Sequence, residues 1–132
     1  MKLHFIRLTK GQDLKKEIQN FCLQNNIFAG VVISSVGCLD ECLLRNAGAS
    51  EILKIKGPLE IISLNGTVSS KRIHLHLSVS DKSLKVYGGH LVEGSIINTT
   101  CELGILESSE YIFLKEFDSS TGYNEIVFKK RP

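Results

Sequence analysis

The chain has 132 residues, 42% of them hydrophobic and 23% charged, with only two prolines. That is enough for one globular domain with a real core, and it excludes a disordered, collagenous or low-complexity protein. A formal charge of +2 and a pI near 8.4 fall short of the dense basic footprint usual in nucleic-acid-binding domains.

Residues 3–8 alternate between apolar and polar and read as a first strand. Asp13 is placed to cap a helix whose apolar face carries Leu14, Ile18, Phe21 and Cys22. Asn25 and Asn26 suit its end, and no second helix of comparable quality follows. Residues 28–36 form a continuous β-branched run, with Gly37 expected to break it and residues 39–45 to form a partner strand. After a turn at 46–50, residues 52–56 and 59–68 read as strands separated by Gly57-Pro58. Residues 71–80 give the cleanest alternation, followed by a turn at 81–83, a short strand at 84–87 and the pair Gly88-Gly89. Residues 96–106, 111–117 and 123–130 complete the series. The expected fold is α+β: a curved, mainly antiparallel sheet of roughly seven to nine strands with one main helix, in a single domain over 1–132.

Neither an apolar leader of about 7–15 residues nor a run of about 20 apolar residues is visible, so a cytoplasmic location without membrane contact is expected. The cysteines, Cys22, Cys38, Cys42 and Cys101, contain no CxxC pair and read as buried, reduced thiols.

The residues that could carry chemistry lie between 72 and 90. Side chains alternate along a strand, so Ile73, Leu75, Leu77 and Val79 face the core while Arg72, His74, His76, Ser78 and Ser80 share the other face. Two histidines at i and i+2 stand roughly 6–7 Å apart along the strand, which lets both rings lean toward one ion. If the turn at 81–83 folds the chain back, His90 reaches the same place. Three imidazoles with an open fourth position suit zinc or another divalent transition metal. The plainer alternative is a solvated strand face carrying two histidines, with His90 bonded beside a turn. His4 has no evident part in the group. Glu60 and Glu102 lie in otherwise apolar strands, where an acid lines a pocket, ligates a metal, pairs with Arg45 or Arg72, or points to water. No nucleophile elbow, phosphate loop or dinucleotide fingerprint occurs, so no catalytic residue and no organic cofactor is assigned.

Several segments in order resemble the plant and prokaryote conserved (PPC) domain family. They are Gly11-Gln12-Asp13-Leu14, Ser35-Val36-Gly37-Cys38-Leu39, and the run from Gly57-Pro58-Leu59-Glu60 to Asn65-Gly66. His74-Leu75-His76-Leu77-Ser78-Val79-Ser80-Asp81 and Gly88-Gly89-His90-Leu91-Val92-Glu93-Gly94 follow. The resemblance implies an α+β fold assembling as a homotrimer. Plant members join the domain to AT-hooks and use it for self-association and regulator contacts; bacterial and archaeal members are usually the domain alone, often designated DNA-binding. The fold is similar to that of α-acetolactate decarboxylase, a metalloenzyme whose zinc ligands include an HxH pair and a later histidine, which points to His74, His76 and His90. The plant Gly-Arg-Phe-Glu-Ile-Leu segment is replaced here by Gly57-Pro58-Leu59-Glu60-Ile61-Ile62, and the tail Lys129-Lys130-Arg131-Pro132 lacks an AT-hook core. Two readings follow: a DNA-binding or regulatory homotrimer, and a metal-dependent enzyme or sensor acting on a small molecule.

Overall fold

A computed structural model describes all residues, Met1–Pro132. The element order is β1 (Lys2–Thr9), α1 (Leu14–Gln24), β2 (Gly30–Arg45), β3 (Ile52–Val68), β4 (Ile73–Ser80), β5 (Val86–Leu91), β6 (Ile96–Glu107), β7 (Tyr111–Asp118) and β8 (Tyr123–Lys130). Six strands form one sheet in the order β1-β6-β2-β3-β4-β5, and β7 and β8 form a separate hairpin. Every pairing is antiparallel. The expected α+β fold, eight strands and one helix, is the one observed.

The sheet does not end at β5. That strand pairs back onto β2 through Leu44 opposite Leu91 and Arg45 opposite His90. Strands β2 to β5 therefore close on themselves, which curves this half of the sheet and removes an open edge. Closure also brings β4 and β5 beside the end of β2, where the functional side chains gather.

Helix α1 is capped as expected. Asp13 Oδ1 accepts from the Lys16 amide at 3.1 Å, and its Oδ2 accepts from the Gly94 amide at 2.6 Å. Leu14, Ile18 and Cys22 are fully buried against the sheet, and Asn25 closes the last turn by donating from its backbone and side chain to Phe21 O. The core face of β4 contributes Ile73, Leu75, Leu77 and Val79; each such aliphatic side chain stabilises the fold by about 1.5–3 kcal/mol.

Two expected strand breaks are corrected. Gly37 lies inside β2, at a register shift against β6, and the strand continues because β6 pairs with it through Val36 and Gly37 before the shift and Cys38 after it. Gly57-Pro58 lies inside β3, opposite the register shift between Leu39 and Glu41. A bulge needs no ladder bond from the residue it leaves unpaired, so a proline without an amide hydrogen is accommodated there. A third correction concerns Gly88-Gly89, which belongs to β5 rather than following it.

The hairpin β7–β8 attaches to the main body through Phe113 N to Phe28 O and Ser108 N to Ala29 O, both 2.9 Å. Phe113 stacks edge-on against Phe128, and the Arg131 guanidinium lies over Phe28. No helix is long and apolar enough to cross a membrane.

Candidate metal centre

Alternation along β4 puts His74 and His76 on the face opposite the core, as expected, with the interleaved Ile73, Leu75 and Leu77 buried. The turn at Asp81 is held by its carboxylate, which accepts from the Ser83 and Lys85 amides. It returns the chain as β5, in a register that sets His90 directly opposite His76. Gly89 permits the approach to β2: a Cβ there would sit 2.8 Å from the Arg45 carbonyl oxygen and 3.2 Å from Leu44 Cβ. With that space free, His90 reaches Arg45 across the closing β2–β5 pair.

The three rings converge. Centroid separations are 5.3 Å for His74–His76, 5.2 Å for His74–His90 and 5.7 Å for His76–His90. One ring nitrogen from each lies within 4.8 Å of the others. Two imidazoles on one tetrahedral zinc have nitrogens about 3.3 Å apart, from Zn–N bonds of about 2.0–2.1 Å, so small side-chain adjustments bring the three onto a single ion.

The electrostatics favour the ligating form. Burial, followed by the Arg45 charge and the neighbouring histidines, pushes His90 down to about 4. Burial and then the Arg72 charge lower His74 as well. Both rings are therefore neutral at pH 7, with a lone pair to give. His90 Nδ1 is buried without a hydrogen-bond partner, the kind of deficit a bound ligand removes. Neutral imidazoles, a shared focus and an unpartnered nitrogen together fit a divalent transition metal.

The acids proposed from sequence do not join this group. Glu60 and Glu102 are exposed, and the ion pairs of the protein, His4–Glu107, Lys16–Glu93 and Lys54–Glu41, include neither of them. Glu102 borders a different cleft, beside Phe5 and Val36. Arg45 and Arg72, expected as carboxylate partners, stand instead beside the histidines: Arg72 Nη2 is 3.3 Å from His74 Nδ1. The carboxylate that does reach the site is Glu125 of β8, which with Lys115 and Tyr123 lines the cleft against His74 and His90. Nothing in the local sequence marks those hairpin residues, because their role comes from how β7–β8 folds across the sheet.

The remaining candidates are structural. His4 Nε2 lies 2.8 Å from a Glu107 oxygen and packs edge-on against Phe21. All four cysteines are free. Burial pushes Cys22 and Cys101 up to about 12 and Cys42 up to about 11, so these thiols are neither nucleophiles nor ready metal ligands. Cys38 Sγ contacts Asn98 O at 2.9 Å.

The model of the Plants and Prokaryotes Conserved (PCC) domain matches residues 1–109. The chain belongs to the PCC family. Among solved structures, a hypothetical protein of Salmonella cholerae-suis superposes with a TM-score of 0.96 at 34% identity, covering 99% of this chain and 95% of that one. A protein of Archaeoglobus fulgidus described as metal-containing superposes at 0.79 with 30% identity, over 96% and 94% of the two chains. A Bacteroides thetaiotaomicron protein named provisionally as DNA-binding superposes at 0.85 with 23% identity, over 96% and 91%; at that identity the likeness concerns the fold. This PCC chain is also 39% identical over 130 residues to the bifunctional protein GlmU of Synechococcus sp. strain JA-3-3Ab, covering 98% of the chain and 21% of that protein. It thus spans about a fifth of the length of that curated relative.

Proposed function

We propose that this PCC protein is a self-associating domain that holds a divalent transition metal, with zinc the expected ion, on His74, His76 and His90, and presents it to a small molecule as an enzyme or sensor. The observation that carries the reading is the convergence of three imidazoles from β4 and β5 on one point. An Archaeoglobus relative described as metal-containing supports it. A metal on three histidines supplies Lewis acidity at its open coordination position. The protein's own contribution is to keep two of the rings neutral, to flank them with Arg45 and Arg72, and to lay the β7–β8 hairpin beside them. Adjoining clefts of about 530 and 370 Å³, both reaching His90, leave room for a small molecule.

Assembly as a homotrimer belongs to the same proposal. Leu3, Phe5, Ile33 and Val36 of β1 and β2 are exposed, Phe5 by 78%. Apolar residues grouped in this way on a soluble protein mark an interaction surface.

The test is elemental analysis of purified, tag-free protein beside its His74→Ala, His76→Ala and His90→Ala variants. The expected result is near-stoichiometric transition metal in the parent and its loss in each variant. A parent that takes up no metal after exposure to zinc overturns the metal reading.

A second reading, a DNA-contacting regulator, draws on the Bacteroides protein's provisional name and on Lys129 and Lys130, exposed at the end of β8. A trimer would present them three times, and such phosphate contacts weaken steeply with salt. No mobility shift of duplex DNA at low salt removes this reading.

A further inference from the structure

Arg72 is a cation without an anion. Its Nη1 is buried and has no hydrogen-bond partner, and its Nη2 faces only His74 Nδ1, at 3.3 Å. Arg45, opposite His90 on β2, and Lys115, on β7, border the same cleft, and neither takes part in an ion pair. Glu125 is the one carboxylate among the residues lining it. Three cations against one acid, around neutral rings, leave an excess of positive charge. A buried guanidinium donor is costly to leave unmade, and its planar fork matches a carboxylate or phosphate bidentately.

We propose that Arg72 and Arg45 form an oxyanion-binding site beside the histidines, which takes a small carboxylate- or phosphate-bearing molecule and couples its binding to metal loading. The proposal deepens the metal-site reading and rests on it only for the coupling. The coupling follows from the His74 ring. To accept a hydrogen bond from Arg72, Nδ1 must carry a lone pair. If His74 gives its other nitrogen to a metal, Nδ1 carries the proton, and two donors face each other. If Nδ1 itself ligates, its lone pair is taken. Either way Arg72 Nη2 loses its partner on metal loading, and the whole fork becomes available to an anion. An oxyanion between Arg72 and Arg45 also offsets the positive charge that a metal adds. By linkage, each ligand then strengthens the other to the same extent.

The experiment is an NMR titration of ¹⁵N-labelled protein, metal-free and zinc-loaded, following arginine Nε–H signals. Sodium pyruvate and inorganic phosphate are added in separate arms. At least one anion is expected to shift the Arg72 and Arg45 signals saturably, about ten-fold more tightly in the zinc-loaded protein. Arg72→Gln and Arg45→Gln are each expected to weaken it about ten-fold, the loss of one charge-assisted contact, while backbone spectra stay dispersed. Shifts from pyruvate alone identify a carboxylate, and from phosphate alone a phosphate. Saturable binding that both variants leave unchanged overturns the proposal, because the anion then sits elsewhere. So does zinc uptake with neither anion moving the arginine signals, an outcome that leaves the metal reading standing. Arginine shifts in a protein that never takes up zinc have the converse meaning: the oxyanion site stands, and the metal and the coupling fall.

Discussion

Gly66 gives a sharp test of how the backbone builds the site. It lies in β3 opposite Leu75, between the positions paired with His74 and His76. Its φ is +148°, a conformation that L side chains rarely adopt, and a Cβ there would collide with the His74 carbonyl oxygen and lie 3.0 Å from Leu75 Cα. Backbone strain of this kind costs about 1–3 kcal/mol, and forcing a methyl group against backbone atoms about 1–3 kcal/mol more. Gly66→Ala is therefore expected to destabilise the protein by about 2–6 kcal/mol, centred on about 4, a large share of a typical total of about 5–15 kcal/mol. Gly48→Ala is the control: φ is +82°, with nothing within 4 Å of the added Cβ. Only the left-handed conformation is penalised there, by about 1–2 kcal/mol. Urea denaturation of both variants gives the comparison, and zinc content of the folded Gly66→Ala protein is expected to fall as β4 shifts. Stabilities of the two variants within about 1 kcal/mol of each other would refute the claim that β3 and β4 are in enforced contact at this point.

Two further outcomes follow from the structure. In metal-free protein, His90 at about 4 and the lowered His74 mean that the unfolded chain gains protons from about pH 6.5 downward, before the folded one does. Their contribution is fully present above that pH and is lost as pH falls toward 4; urea midpoints should drop over this window, and less steeply in His90→Gln, since the carboxylates that titrate there are common to both proteins. An unchanged slope in the variant would contradict the lowered value. Phe5→Asp is expected to shift the protein toward monomer in sedimentation velocity while the monomer stays folded, because Phe5 is 78% exposed on the chain alone, with its melting temperature falling only by what the lost association contributed; a parent that is monomeric at every concentration refutes the interface.

What could be seen in advance was governed by local periodicity. His74-Leu75-His76-Leu77 alternates so regularly that the faces of β4 were legible, and the Asp81 turn made the return of His90 a reasonable inference. The capping aspartate and the Leu14, Ile18, Cys22 stripe made the helix equally plain. Gly37 and Gly57-Pro58 misled because their usual meaning as breaks is a local one. Inside this sheet, each sits at a register shift between strands that continue past it, and the neighbouring strands, not the residue, decide the outcome. The acids misled for a related reason. Glu60 and Glu102 stood out as charges in apolar runs, yet those runs each have a face turned away from the core, and the exposed positions there cost an acid nothing. Glu125, by contrast, sits in an unremarkable alternating strand and reaches the histidines only because a hairpin beyond the matched family segment folds across them. The same is true of Arg72: the sequence shows a basic residue at the head of a strand, and only the packing shows that its buried nitrogen has no partner. The ligand-holding histidines were thus visible as a pattern, whereas the charges that would select what binds beside them arise from tertiary contacts. For this protein, substrate or effector class is better sought through Arg45, Arg72, Lys115 and Glu125 than through the metal ligands.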